Sequence, residues 1–111
     1  MGDCIFCKIA KKELPAKIEY EDEQLLVVHD IKPKAPLHLL VIPKRHIISV
    51  AHLQEEDREM VGGLIFLAKK MAQEKGVKGY KLFFNVGKEG GQEVDHLHLH
   101  LLGYGGPEKQ A

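Results

Sequence analysis

Tryptophan is absent, and aromatic residues make up only 6% of the chain against 44% hydrophobic residues. That balance is ordinary for a globular domain with an aliphatic core. Neither charge is in surplus: sixteen basic residues face sixteen acidic ones, and the formal charge is zero. A protein held mainly by a nucleic-acid backbone needs a basic excess, so that class is excluded. The neutral balance also does little to oppose self-association. No stretch approaches the roughly 18 consecutive apolar residues of a membrane span. The segment Met1 to Lys12 has no signal-peptide apolar run and carries Asp3 and Lys8. Cysteine is scarce too. Cys4 and Cys7 stand three positions apart, and a disulfide between them would staple nothing. The expectation is a cytoplasmic protein whose thiols serve a metal or redox chemistry. At 111 residues the chain is expected to form one domain, 1–111, with one modest core.

Five strands are legible. Lys17 to Asp22 and Leu25 to Ile31 flank a turn at Asp22-Glu23-Gln24. Leu37 to Ile42 follows the breakers Pro33 and Pro36 and stops at Pro43. Tyr80 to Val86 and Asp95 to Leu102 complete the set, separated by the glycine-rich loop Gly87 to Gly91. Lys44 to Leu53 stays unassigned, and Gly103 to Ala111 reads as a polar tail. The spacing predicts one long helix over Gln54 to Lys75, with Glu55, Glu56 and Asp57 at its positive end and Gly76 as its C-cap. Met60, Val61, Leu64, Ile65, Ala68, Met71 and Ala72 mark its apolar face. Gly62-Gly63 inside it costs roughly 1 kcal/mol per glycine. Close approach of another backbone would justify that cost; otherwise the pair is a weak spot. No helix separates each strand from the next, which favours an α+β antiparallel sheet with a helix on one side.

Asp95 to Leu102 carries the chemistry. Alternation at period two puts His96, His98 and His100 on one face and Leu97, Leu99 and Leu101 on the other. Successive imidazoles then stand about 6.6 Å apart along the strand. The leucines must face the core, so the histidines face a cleft or solvent. Three readings remain open: a solvated face, a metal site, or nucleophilic catalysis at phosphorus by an imidazole whose neighbours fix its tautomer. Asn85 to Gln92, just upstream, offers main-chain N–H groups and two amide side chains to an anion. Oxyanion donors beside a nucleophile make the catalytic reading stronger.

The run His96-Leu97-His98-Leu99-His100-Leu101-Leu102 resembles the signature of the histidine triad superfamily. Other motifs recur with it in order: Ile5-Phe6-Cys7-Lys8-Ile9, Leu14-Pro15-Ala16-Lys17, His29-Asp30-Ile31, Ala35-Pro36-Leu37-His38, Val41-Ile42-Pro43-Lys44 and Gly90-Gly91-Gln92. The chain is most similar to the Hint branch, the histidine triad nucleotide-binding proteins. The resemblance implies a five-stranded antiparallel sheet with one long helix and a short N-terminal helix, in a homodimer whose sheets join. It implies hydrolysis or transfer at the α-phosphate of purine nucleotides, especially nucleoside phosphoramidates. His98 would be the nucleophile, passing through a nucleotidyl-histidine. His100 would contact the phosphate, and His38 would stand behind the triad. Asn85, Gln92 and the main chain at Val94 match phosphate contacts, and Asp30 matches the carboxylate that accepts the ribose hydroxyls. Ile5, Phe6, Ile9, Val28 and Ile31 match the apolar purine slot.

Two positions depart from the pattern. Glu93 stands where serine is common, near the phosphate, and Val28 stands where an aromatic residue often lines the base slot. No cofactor is required for the chemistry. Cys4-Ile5-Phe6-Cys7 has the spacing for half of a tetrahedral zinc site; free thiols and a redox pair are the alternatives. The resemblance supplies His46 and His96 as the remaining ligands of a structural zinc. His29 and His52 have no assigned task. The rival functions are a metallohydrolase using the histidines, a dinucleoside polyphosphate hydrolase, and a nucleotide-binding or interaction module without turnover.

Overall fold

The structure is a computed structural model that describes residues 4–107. Its elements are α1 (Ile5–Ala10), β1 (Ile18–Glu21), β2 (Leu25–His29), β3 (Leu37–Pro43), α2 (Arg58–Lys75), β4 (Gly79–Phe83) and β5 (Leu99–Tyr104). Every neighbouring pair in the sheet is antiparallel, in the order β1-β2-β3-β5-β4. The α+β architecture, the single long helix and the short N-terminal helix are as expected.

Alternation along β3 explains why a fully buried strand can carry a histidine. Leu37, Leu39 and Val41 pack with Val27, Leu97, Leu99 and Leu101 beneath Leu64, Leu67, Ala68, Met71 and Ala72 of α2. His38, Leu40 and Ile42 point to the other face, where Phe6 and Ile9 of α1 cover Leu26, Val28, Leu40 and Ile42. One sheet thus has two unequal layers. The eighteen-residue α2 covers the centre of one face, while the six-residue α1 covers only part of the other. The uncovered part is where the site lies.

Boundaries differ from the sequence reading for local reasons. Regular β5 begins at Leu99, not Asp95, because its ladder with β3 ends at the Val41–Leu99 pair. Upstream, the His96 N–H bends back to the Val94 carbonyl and the Leu97 N–H reaches Ile47. The strand also runs on through Gly103 and Tyr104, which the sequence assigned to a tail. A Cβ on Gly103 would sit 2.8 Å from Val77 Cγ1, so glycine there marks close packing inside a strand. Residues 108–111 of the expected tail lie outside the described residues. β2 stops at His29 because Asp30 makes a side-chain turn, its Oδ1 accepting the Lys32 N–H at 2.8 Å.

The helix α2 starts at Arg58 after a short 3-10 turn at Glu55–Asp57, with the Asp57 carboxylate accepting the Gln54 N–H. Gly76 closes it at φ +69°, the left-handed cap expected of it. Ile65 is 44% exposed, a correction to the apolar face; Leu67 takes its place in the core. A Cβ on Gly62 would meet nothing within 4 Å, and one on Gly63 would meet only a Leu25 methyl, so no backbone of the described chain approaches the pair.

Candidate active site

A single cross-strand row makes the floor of the site. Register aligns Val28 with Leu40, Leu40 with His100, and His100 with Phe83. Above this row opens a cavity of about 790 Å³. It is lined by His38, His98 and His100, by Asp30, Asn85, Glu93 and Val94, and by Ile5, Phe6, Ile9, Val28 and Ile31. The sequence-derived catalytic and substrate residues therefore converge, Gln92 excepted. Ile31 lies at the rim, 87% exposed. Sequence reasoning missed Phe83, whose ring stacks on His100 at 4.6 Å and 10°. Its signal is the β4–β5 register, which only the fold supplies.

Hydrogen-bond partners set the tautomer of each imidazole. His98 Nδ1 lies 2.7 Å from the His96 carbonyl oxygen. An oxygen accepts, so Nδ1 carries the proton and Nε2 holds the lone pair. His38 is the reverse case. Its Nδ1 accepts the Lys34 N–H at 3.1 Å, so its proton is on Nε2. That N–H donates to His100 Nδ1 at 3.0 Å, with Asp30 Oδ2 at 3.4 Å from the same atom. His100 is thereby protonated on Nε2, a buried atom with no hydrogen-bond partner among the described residues.

Burial pushes His98, His38 and His96 below the ordinary histidine range. His100 is driven down to about 4 by burial, with His98 and His38 adding repulsion. The site at neutral pH is a set of uncharged, oriented imidazoles: one lone pair at His98 and one free N–H at His100.

Gln92 works as a brace. Its amide nitrogen donates to the Ile48 and Val94 carbonyls at 2.6 and 2.9 Å, and its oxygen accepts the Gly87 N–H at 2.9 Å. A phosphate contact by this side chain would replace one of those bonds. Glu93 is exposed and lines both the main cavity and a second one of about 420 Å³ beside Cys4 and His46.

Two clusters have metal-ligand chemistry. In the first, His96 Nδ1 lies 3.2 Å from Cys4 Sγ, 3.6 Å from Cys7 Sγ and 3.2 Å from His46 Nδ1, and Cys7 Sγ lies 3.3 Å from His46 Nδ1. Bond lengths of about 2.3 Å to sulfur and 2.0–2.1 Å to nitrogen give tetrahedral edges of about 3.5 Å (S···N) and 3.3 Å (N···N). The four ligands fit that figure. His96 Nε2 donates to the Pro43 carbonyl at 2.7 Å, which leaves Nδ1 as a lone pair and supplies the outer bond typical of a ligating histidine. The donor set is compatible with structural zinc. The second cluster, Asp30, His38 and His100, does not fit a metal. Its central atom, His38 Nε2, carries a proton, because Nδ1 is committed to the Lys34 N–H. This removes the basis for a metallohydrolase built on the triad side.

Among the described residues no helix is long and apolar enough to cross a membrane. The family described as "Scavenger mRNA decapping enzyme C-term binding" (DcpS_C) matches residues 3–110. The chain is 48% identical over 104 residues to protein HitA of Neisseria gonorrhoeae, covering 93% of this chain and 97% of HitA. The solved structure of a HIT family hydrolase from Legionella pneumophila superposes with a TM-score of 0.89 at 50% identity, covering 91% of this chain and 92% of that one. A zinc-bound histidine triad family protein from Mycobacterium smegmatis is 33% identical, with a TM-score of 0.84 over 99% of this chain and 81% of its own. With the triad, the sheet and these matches in agreement, the chain belongs to the histidine triad family.

Proposed function

We propose that the protein is a nucleotidyl hydrolase of the nucleoside phosphoramidase type, acting at the α-phosphate of purine nucleotides. One observation carries this reading. The His98 lone pair opens into the cavity while its other nitrogen is tied to the His96 carbonyl at 2.7 Å. An imidazole fixed in that tautomer attacks phosphorus without first losing a proton.

In the forward step His98 Nε2 bonds to the α-phosphorus as the P–N bond to the leaving amine breaks. The amine nitrogen takes up a proton from solvent as it departs. The resulting cationic nucleotidyl-imidazole keeps its Nδ1–H on the His96 carbonyl, which spreads the new charge. Water then attacks phosphorus, gives its proton to bulk solvent, and returns the lone pair to His98. The free His100 N–H and the Asn85 amide serve the phosphate oxygens, whose charge they stabilise. Asp30 accepts the ribose hydroxyls, and Phe6, Ile9 and Val28 enclose the base. Zinc, when bound, supplies a fixed crosslink among Cys4, Cys7, His46 and His96. A homodimer is part of this proposal: β1 and β4 are the edge strands, and Phe83 of β4 is exposed beside the site. So is a cytoplasmic location, which suits two free thiols.

The test is hydrolysis of adenosine 5′-phosphoramidate against diadenosine polyphosphates, with AMP binding followed by calorimetry. Turnover favouring the phosphoramidate is expected. AMP binding without turnover of either substrate would refute the enzyme and leave a binding module.

A further inference from the structure

His96 belongs to two places at once. Its ring sits in the cysteine–histidine cluster, and its main-chain carbonyl holds the nucleophile. We infer that the Cys4–Cys7–His46–His96 cluster is more than a fold staple: through the His96 carbonyl it sets the tautomer of His98, making His96 a positioning residue for the nucleophile. This rests on the nucleotidyl hydrolase reading for its consequence, though not for its geometry.

His98 has one hydrogen bond among the described residues, from Nδ1–H to the His96 oxygen. Nothing else there selects its tautomer. If that oxygen turns away, the proton is free to sit on Nε2, and the lone pair leaves the cavity. The direction of the carbonyl is therefore the controlling variable, and residue 96 is held at three protein contacts. Its N–H donates to Val94 at 2.8 Å, its Nε2–H donates to Pro43 at 2.7 Å, and the following N–H, of Leu97, donates to Ile47 at 2.6 Å. The fourth hold is at Nδ1, where a metal ion would tie all four ligand atoms at once, and where the protein alone offers only a weak thiol S–H or the His46 N–H as donor. His96 Nδ1 has a lone pair, because its proton is committed to Pro43. It faces His46 Nδ1 at 3.2 Å and two sulfurs at 3.2 and 3.6 Å. Without a metal these atoms meet only through weak thiol or ring N–H hydrogen bonds, and His96 is fully buried, so water does not replace the missing hold.

A second link runs through α1. Cys4 is the N-cap of that helix, its sulfur accepting the Cys7 N–H at 3.3 Å. Between the two cysteines stands Phe6, whose ring meets His96 edge-on at 5.8 Å and His98 at 5.1 Å. The helix that the cysteines tie down thus presses one aromatic ring against both imidazoles. Loss of the tie loosens the carbonyl and this wall together.

The test reads the tautomer directly and needs no substrate. Protein labelled with ¹⁵N-histidine is examined at one fixed pH by long-range ¹H–¹⁵N correlation, zinc-loaded and after chelation. His38, held by the Lys34 N–H on the other side of the site, is the internal control. Zinc-loaded protein is expected to show His98 as a single Nδ1–H form. Chelation should convert it to a mixture of both forms while His38 stays Nε2–H. An unchanged His98 in protein shown to be metal-free would overturn the inference. If the chelated protein unfolds, replacement of zinc by cadmium, which has longer bonds to sulfur, keeps it folded. His98 nitrogen shifts should then move more than those of His38; equal or absent movement would overturn the inference. Failure here leaves the hydrolase reading intact, and failure of turnover leaves this coupling intact.

Discussion

Mild acid should destabilise this fold well before its carboxylates titrate. His100 is 7% exposed, stacked on Phe83, and its folded-state pKa is held near 4 against an ordinary value of 6.5. The unfolded chain therefore binds a proton through the window between those values and the folded chain does not. Stability is complete above about pH 6.5 and is lost as pH falls toward 4. At pH 5 the cost from His100 alone is about 2 kcal/mol relative to pH 7. At about 4 °C per kcal/mol for a domain of this size, Tm falls by roughly 8 °C. His38 and His98 are also held low and add with the same sign. Glu19, Glu21, Asp22 and Asp57 are held below their ordinary values of 4.5 or 3.8, so their contribution is nearly intact at pH 5 and is lost as pH falls below about 4.5. Thermal unfolding at pH 7, 6 and 5 measures the effect, and His100→Gln should flatten the dependence. Equal Tm values at pH 7 and pH 5 would show that His100 is not held neutral in the folded protein.

Gly103→Ala forces a Cβ to within 2.8 Å of Val77 and 3.2 Å of Leu37; a loss of about 1–3 kcal/mol in urea unfolding is expected. Cys7→Ser should remove bound zinc, about one ion per chain by elemental analysis, and lower Tm by several degrees; equal metal content in wild type and variant would reject the site. Asp30→Asn should weaken AMP binding about tenfold by calorimetry, the equivalent of ~1.4 kcal/mol for a charged hydrogen-bond acceptor.

Much of the site was legible because period-two alternation survives irregular backbone. His96 and His98 precede the regular part of β5, yet the leucines still enter the core and the histidines still share the opposite side. The C-terminal end of the helix was legible from Gly76, whereas Glu55–Asp57 form a 3-10 turn ahead of α2, which starts at Arg58. Gly103 misled for an equally physical reason: glycine marks both turns and tight packing, and sequence alone does not distinguish them. Ile65 fits the helical period, but α2 is wide enough to bury only the stripe centred on Leu64, Ala68 and Met71. Phe83 and the Pro43 carbonyl were invisible because their roles depend on which strands become neighbours. The bracing bonds of Gln92 depend on loop geometry in the same way.

The proposed chemistry turns on attack of His98 Nε2 on phosphorus. The direct test is intact-protein mass spectrometry of enzyme acid-quenched during turnover of adenosine 5′-phosphoramidate, with peptide mapping, for wild type and His98→Ala. One adenylyl adduct on His98 is expected in the wild type, and neither adduct nor turnover in the variant. Turnover by His98→Ala, or an adduct on another residue, would contradict this chemistry.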